Sequence, residues 1–433
     1  MSQEATVHVR HNPSRDYTSL AERREVSDAA PHPVAPLDLV VALRRSGTDG
    51  LHMTAFRPGE RGPRTRLHHA YLTASATSVL RTAGRLRTTW RDLFVRHQPV
   101  DADGTPIAGF PLAEAADLTP YAPDTELLTA ELAKEGQYLL DRLLAGENHE
   151  VKEFRSHLLS VLSGEEGLRI SFDSDLQLPW PMLAVERSND PHPCSRFLGY
   201  RHQVEQTGAS YPMIQGETAP RRLPAASLNT DDSLAHVGRA PQVRKLLEER
   251  ATLTVRTRSA TLLSALSEAV LDDDIMYFWC HGRFVDNGSQ HQHLAIKLSD
   301  ERCIDADLVL RERTRYQGSP DAIFRPFVLL NACHTGQAAA SPELEHLGRA
   351  LVDMGASGVL GSQIEIPQCF AAEYAYAFLD LYLSSGLTAG EITMTLVRRF
   401  AREFANPLAL TYTLHCGIDS RLETMGVAPQ GQT

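Results

Sequence analysis

The chain has 433 residues, 42% of them hydrophobic and 22% charged, with glycine and proline scattered rather than clustered. That composition excludes wholesale disorder and fibrous repeats, and the length predicts two domains or one enlarged one. The formal charge of −11 works against attraction to phosphate backbones or anionic lipid, so direct nucleic-acid or membrane binding is not expected.

Residues 1–34 are polar and read as a flexible tail, and their start lacks the apolar run of a signal peptide. LDLVVAL (37–43) and LHMTAF (51–56) flank a Gly/Asp-containing turn and predict a β-hairpin. The apolar spacing over 67–95 suggests a helix, 101–123 a loop, and 126–145 and 149–163 two stronger helices. Short apolar runs then alternate with helical ones. Strands are expected at 168–172, 197–204, 253–257, 275–280, 324–333, 357–363 and 408–416. Helices are expected around 233–249 and at 259–270, 342–354, 368–384 and 388–403. This grammar predicts an α/β fold with a mainly parallel sheet covered on both faces. It spans 126–423, preceded by a small N-terminal region (35–125) and followed by a C-terminal tail (424–433).

In parallel sheets chemistry gathers beyond the carboxyl ends of strands. IMYFWC runs into His281-Gly282, and FVLLNAC ends on Cys333, followed by His334. A thiolate next to an imidazole is an activated nucleophile, and a glycine turn can aim amides at an oxyanion. On this reading Cys333 attacks, His281 acts as base and acid, and the amides of Gly282 and Cys333 form the oxyanion hole. The residues alone leave open that both are core-adjacent side chains. Asp272, Asp273 and Asp274 lie at the other end of the histidine strand and read as a turn. Cys280 and His334 alternate with the dyad positions and read as packing, and the spacing of His281, Cys333 and His334 is not that of a zinc site. The six cysteines include no CxxC pair, and no metal or cofactor is expected. No phosphate-binding, dinucleotide, zincin or serine-elbow motif is present.

YFWCHGRF (277–284) and VLLNACHTG (328–336) resemble the two catalytic blocks of CHAT-domain proteins, a branch of the caspase-like (clan CD) cysteine peptidases. The histidine lies about 50 residues upstream of the cysteine, as in caspases. The resemblance extends to LRISFDSDLQLPWPML (168–183), ATLTVRTRSATLLSAL (251–266), LGRALVDMGASGVLGSQIEIP (347–367) and LTAGEITMTLVRRF (387–400). It implies a caspase-like three-layer fold and an intracellular, cytoplasmic cysteine endopeptidase of bacterial origin. Such a peptidase is restrained by a regulatory or activating protein partner, cuts specific protein substrates and acts in conflict or antiviral defence. His281 matches the family's base and acid and Cys333 its nucleophile, with no third residue required. One departure is Gln363, where many members carry tryptophan. A charged pocket selects the residue before the cut in this clan. Asp173, Asp175 and Glu365 are the candidates for an acidic one, with Gln363 beside the cleft, which favours cleavage after a basic residue. Loops 284–292 and 311–322, the latter with Arg313 and Arg315, are candidate self-cleavage sites. The rival readings are a catalytically silent caspase-like scaffold that binds a partner, and thiol chemistry on a small acyl substrate.

Overall fold

The computed structural model describes residues 35–58, 67–99, 103, 108–164, 167–186, 190–208, 223–285, 293–300, 302–316, 322–334 and 343–422. The two expected tails lie outside them. Three antiparallel strands come first: β1 (Leu39–Ser46), β2 (Gly50–Phe56) and β3 (His68–Leu72). Helix α1 (Ala76–Trp90) follows and widens into a π-helical stretch at Arg91–Val95. Next are α2 (Pro111–Glu114), the long helices α3 (Ala122–Leu143) and α4 (His149–Gly164), β4 (Arg169–Ser174), α5 (Leu198–Arg201) and β5 (Gln203–Thr207). The chain continues through β6 (Ala225–Thr230), α6 (Ala240–Arg250), β7 (Thr252–Arg256), α7 (Ser259–Leu266) and β8 (Val270–Leu271). Then come β9 (Ile275–Val285), β10 (His293–Lys297), β11 (Cys303–Ile304), α8 (Ala306–Thr314), β12 (Ile323–Phe324) and β13 (Phe327–His334). The last elements are α9 (Glu343–Asp353), β14 (Gly358–Ser362), α10 (Gln368–Ser384), α11 (Ala389–Glu403) and β15 (Tyr412–His415).

Local chemistry accounts for these boundaries. Leu39, Val41 and Leu43 are buried while the residues between them are less so, the period of a half-covered strand. Gly47, at φ +63°, supplies the left-handed turn that returns the chain into β2. Helix α1 starts where the Ser75 side chain accepts from the Ser78 amide, and α11 starts on a reciprocal Thr388/Glu391 capping box.

Among the described residues thirteen strands form one sheet, in the order β11-β10-β9-β13-β14-β15-β5-β4-β1-β2-β3, with β6 alongside β9 and β7 outside β6. Its middle consists of two parallel blocks. Strands β7, β6, β9, β13 and β14 run one way, and β15, β5, β4 and β1 run the other, the polarity reversing at the antiparallel β14/β15 pair. Residues 35–125, expected as a region ahead of the catalytic module, contribute three strands to this same sheet through the parallel β1/β4 pair.

Alternate residues of the central strands feed two cores. Ile275, Tyr277, Trp279, Phe327 and Leu329 pack on one side with residues of α10 and α11, such as Phe370, Phe378 and Leu396. Met276, Phe278, Cys280, Val328 and Leu330 pack on the other with Leu263 of α7, Val309 of α8 and Leu351 of α9. Helices on both faces of a mainly parallel sheet give the three-layer α/β architecture expected from the sequence.

Some elements differ from expectation. Residues 68–72 are strand rather than the start of a helix, because pairing with β2 outweighs a weak helical spacing. The strand expected over 197–204 is a helical turn at Leu198–Arg201 followed by β5. Strand β6 was not anticipated at all: AASLNT offers only Ala226 and Leu228 as large enough apolar inward residues, and its remaining buried side chains are Ser227, Asn229 and Thr230.

Candidate active site

Strands β9 and β13 are parallel neighbours, in register from Phe327 opposite Ile275 to His334 opposite Gly282. Cys333 is the partner of His281 in this ladder. Neighbouring strands lie about 4.8 Å apart, and positions paired in parallel share a face of the sheet. Positions 281 and 333 therefore sit side by side, continuing the series 275, 277, 279 and 327, 329, 331. Cys280 and His334 occupy the alternate positions, and Cys280 is buried in the second core. Two of the three aspartates before β9 serve its amino end. Asp273 pairs with Arg256 at 3.1 Å, and Asp274 Oδ2 accepts from the Ala225 amide at 2.7 Å.

The surroundings of His281 follow from a change of neighbour along β9. On the side away from β13, residues 275–279 pair with β6 and residues 281–285 pair with β10. At the break the chain leaving β6 turns across the strand as a short 3-10 helix at Asp232–Leu234. The Asp231 amide donates to Trp279 O at 3.1 Å, and Trp279 Nε1 donates to Leu234 O at 2.9 Å, so the turn is fixed to β9 at both ends. It brings Ser233 Oγ within 3.3 Å of His281 Nε2 and Asp231 Oδ2 within 3.9 Å of the same nitrogen. His281 Nδ1 is buried and has no hydrogen-bond partner among the described residues. Neither Asp231 nor Ser233 was singled out from the sequence. The available signal was a polar DDS run closing a short strand, and that strand was itself unread.

Gly282 does not open a turn. It lies inside β9, opposite His334 on one side and Ile296 on the other, because the strand continues into the hairpin with β10. Any oxyanion contact from position 282 would therefore come from strand backbone rather than from a glycine turn.

The residues expected to select the substrate separate into two groups. Gln363 and Glu365 follow β14, the neighbour of β13, at its carboxyl end. Gln363 is buried, and its Oε1 accepts from Arg87 Nε at 3.0 Å and Nη2 at 2.8 Å. Glu365 Oε2 lies 3.3 Å from Arg96 Nη2. Asp173 and Asp175 end β4, which runs opposite to β13. Register carried across the sheet sets Asp173 level with Phe327, about 20 Å along the strands and about 19 Å across them from position 333. Both carboxylates are engaged by Arg44: Asp173 through a close ion pair, Asp175 at 3.5 Å. Sequence pattern shows that a residue ends a strand but not which way the strand runs, and this is why the two aspartates were grouped with the dyad.

The expected self-cleavage loops also change. Residues 286–292 lie outside the described residues. Arg313 belongs to α8 and is buried, with Nη1 donating to the carbonyls of Leu266 and Glu268. Burial pushes the thiols of Cys194 and Cys369 up, which disfavours either as a nucleophile.

A protein of Vitiosangium sp. (strain GDMCC 1.1324) named "Probable protease" is 27% identical over 138 residues. The match covers 32% of this chain, and this chain spans only 17% of that protein's length. The separase of the Saccharomyces cerevisiae separase–securin complex aligns over 88% of this chain and 30% of its own, with a TM-score of 0.45 and 11% identity. The Arg-specific cysteine proteinase gingipain R aligns over 63% of this chain and 69% of its own, with a TM-score of 0.42 and 10% identity. No helix among the described residues is long and apolar enough to cross a membrane. The CHAT domain model matches residues 130–402, well over half of the sequence and including both positions 281 and 333, and the chain belongs to the CHAT-domain family.

Proposed function

We propose that this protein is a cysteine endopeptidase working through a Cys333–His281 dyad. The observation that carries the reading is the register of β9 and β13, in which a histidine and a cysteine occupy paired positions on one face of two adjacent central strands, with Cys333 at the carboxyl end of β13. The Cys333 thiolate attacks the scissile carbonyl carbon, and the carbonyl electrons move to oxygen, held by backbone amides at positions 282 and 333. Collapse expels the amine, which takes its proton from His281. Water, deprotonated by the same imidazole, then cleaves the thioester and restores the thiol.

Of the residues proposed to read the substrate, Glu365 carries the preference for a basic residue before the cut. It is a partly buried carboxylate after β14 that already holds one guanidinium, that of Arg96. Restraint by a protein partner and a role in bacterial conflict or antiviral defence complete the proposal, and they rest on the family alone.

Cleavage of a diverse peptide library, mapped by mass spectrometry with and without host lysate, tests it beside Cys333→Ala and Glu365→Gln. Cysteine-dependent cuts after arginine or lysine, weakened in Glu365→Gln, are the expected result. Cuts after acidic residues would overturn the pocket assignment. No Cys333-dependent cut in either condition would favour a partner-binding scaffold.

A further inference from the structure

We infer that Asp231, acting with Ser233, is a positioning residue that holds the His281 ring and stabilises its protonated form. This deepens the peptidase reading and rests on it. The supporting observation is where the turn after β6 is anchored. Its backbone is tied to β9 by the Asp231 amide and by Trp279 Nε1, and to the segment after β10 by the Asp232 amide, which donates to Ser299 Oγ at 2.8 Å. The turn is thus fixed on two sides of the ring.

Within it, the Asp231 carboxylate divides its work. Oδ1 accepts from the Ser233 amide at 2.9 Å and shapes the turn, while Oδ2 stands 3.9 Å from His281 Nε2. The Asp231 side chain is only 9% exposed and that of His281 20%, so water screens the pair weakly. At 3.9 Å the carboxylate is beyond direct hydrogen-bond reach. The direct partner is Ser233 Oγ at 3.3 Å, which accepts from Nε2–H while the carboxylate acts through its charge. With Nε2 occupied, Nδ1 is the nitrogen left for the thiol, and it is the one buried without a partner among the described residues.

The proton inventory is simple. The Cys333 thiol gives its proton to Nδ1, leaving a thiolate and an imidazolium. Nδ1–H later passes to the leaving amine. Among the described residues, the charged or titratable positions facing the ring are Asp231 on the turn, Lys297 opposite it on β10, and Cys333 opposite it on β13. Of these, Asp231 is the one whose negative charge favours the imidazolium.

The test needs no substrate. Iodoacetamide alkylation of Cys333, read on its own peptide by mass spectrometry, is followed against pH in the full chain and in Asp231→Asn, Ser233→Ala and His281→Ala. Asparagine keeps the Oδ1 acceptor for the Ser233 amide and removes only the charge. At about pH 6, Asp231→Asn is expected to alkylate roughly tenfold more slowly than the unaltered chain, the effect of losing an opposite charge at this range. At pH values above the free thiol range the two rates converge, a pattern that simple misfolding does not give. If Asp231→Asn melts at a markedly lower temperature, Ser233→Ala decides, with a smaller loss expected in the same acidic limb. An Asp231→Asn profile that superimposes on the unaltered one, while His281→Ala loses its acidic reactivity, overturns the role of Asp231 alone. A His281→Ala profile that also superimposes overturns the dyad beneath it.

Discussion

Asn331 ties β13, the strand that carries Cys333, to two neighbouring elements of the core. It is buried on β13, two positions before Cys333 and on the same face. Its Nδ2 donates to Ala371 O of α10 at 3.0 Å, and its Oδ1 accepts from the Tyr412 hydroxyl of β15 at 2.7 Å. Replacing it with alanine removes both bonds, one to a carbonyl that also serves the α10 helix and one to a buried hydroxyl. The bond to the helical carbonyl is worth about 0.5–1.5 kcal/mol and that to the buried hydroxyl about 1–3 kcal/mol, so Asn331→Ala should lose roughly 1.5–4.5 kcal/mol. Tyr412→Phe removes one hydroxyl and keeps the ring stacked on Tyr374, at 3.9 Å between centroids, and should lose roughly 1–2 kcal/mol. Because the two side chains share a bond, the double variant should be less destabilised than the sum of the singles by about 1 kcal/mol. Urea unfolding of the four proteins, checked by thermal melts, measures this cycle. Strict additivity, or an Asn331→Ala variant within about 0.5 kcal/mol of the unaltered protein, would refute the reasoning.

Three further outcomes follow from particular side chains. Burial, with the Arg87 charge nearby, holds the His415 imidazole down at about 4. The folded state therefore resists a proton that the unfolded chain accepts below about pH 6.5, and stability should fall by roughly 3 kcal/mol as pH drops from there towards 4. His415→Gln should flatten that slope by one proton, measured by urea midpoints across the range. In α3 a Cβ on Gly136 would come within 2.4 Å of Met182 O, whereas one on Gly84 in α1 meets nothing within 4 Å. Gly136→Ala should destabilise by about 2 kcal/mol or more, and Gly84→Ala should stabilise by about 0.5–1 kcal/mol, read as opposite shifts in melting temperature. Gln363→Leu removes two contacts to the buried Arg87 guanidinium and should lose about 2–4 kcal/mol, so a neutral effect in the same melts would contradict the contact.

Periodicity made much of this fold legible. Helix α10 occupies the expected 368–384, and the strands that carry positions 281 and 333 were readable as mainly apolar runs, because burial on two faces leaves few polar interruptions. The unread features share a cause: they depend on neighbours distant in sequence. Strand β6 is held between β7 and β9 by its backbone rather than by large side chains, so AASLNT carries no strong strand signal. With β6 unread, Asp231 and Ser233 had no reason to be linked to His281. The polarity of β4 is decided where β14 meets β15, and without it Asp173 and Asp175 could be assigned to the wrong edge. His281 and Gly282 were expected to end a strand, but the hairpin with β10 extends β9 beyond them.

The central claim is that register selects one cysteine and one histidine from two adjacent pairs. Its most direct measurement compares library cleavage by Cys333→Ala and His281→Ala with that by Cys280→Ala and His334→Ala, all four confirmed folded by thermal melts. Loss of cutting in the first two, with cutting retained in the second two, is the expected result. Cutting that survives Cys333→Ala, or that depends on Cys280 or His334 instead, would contradict the site.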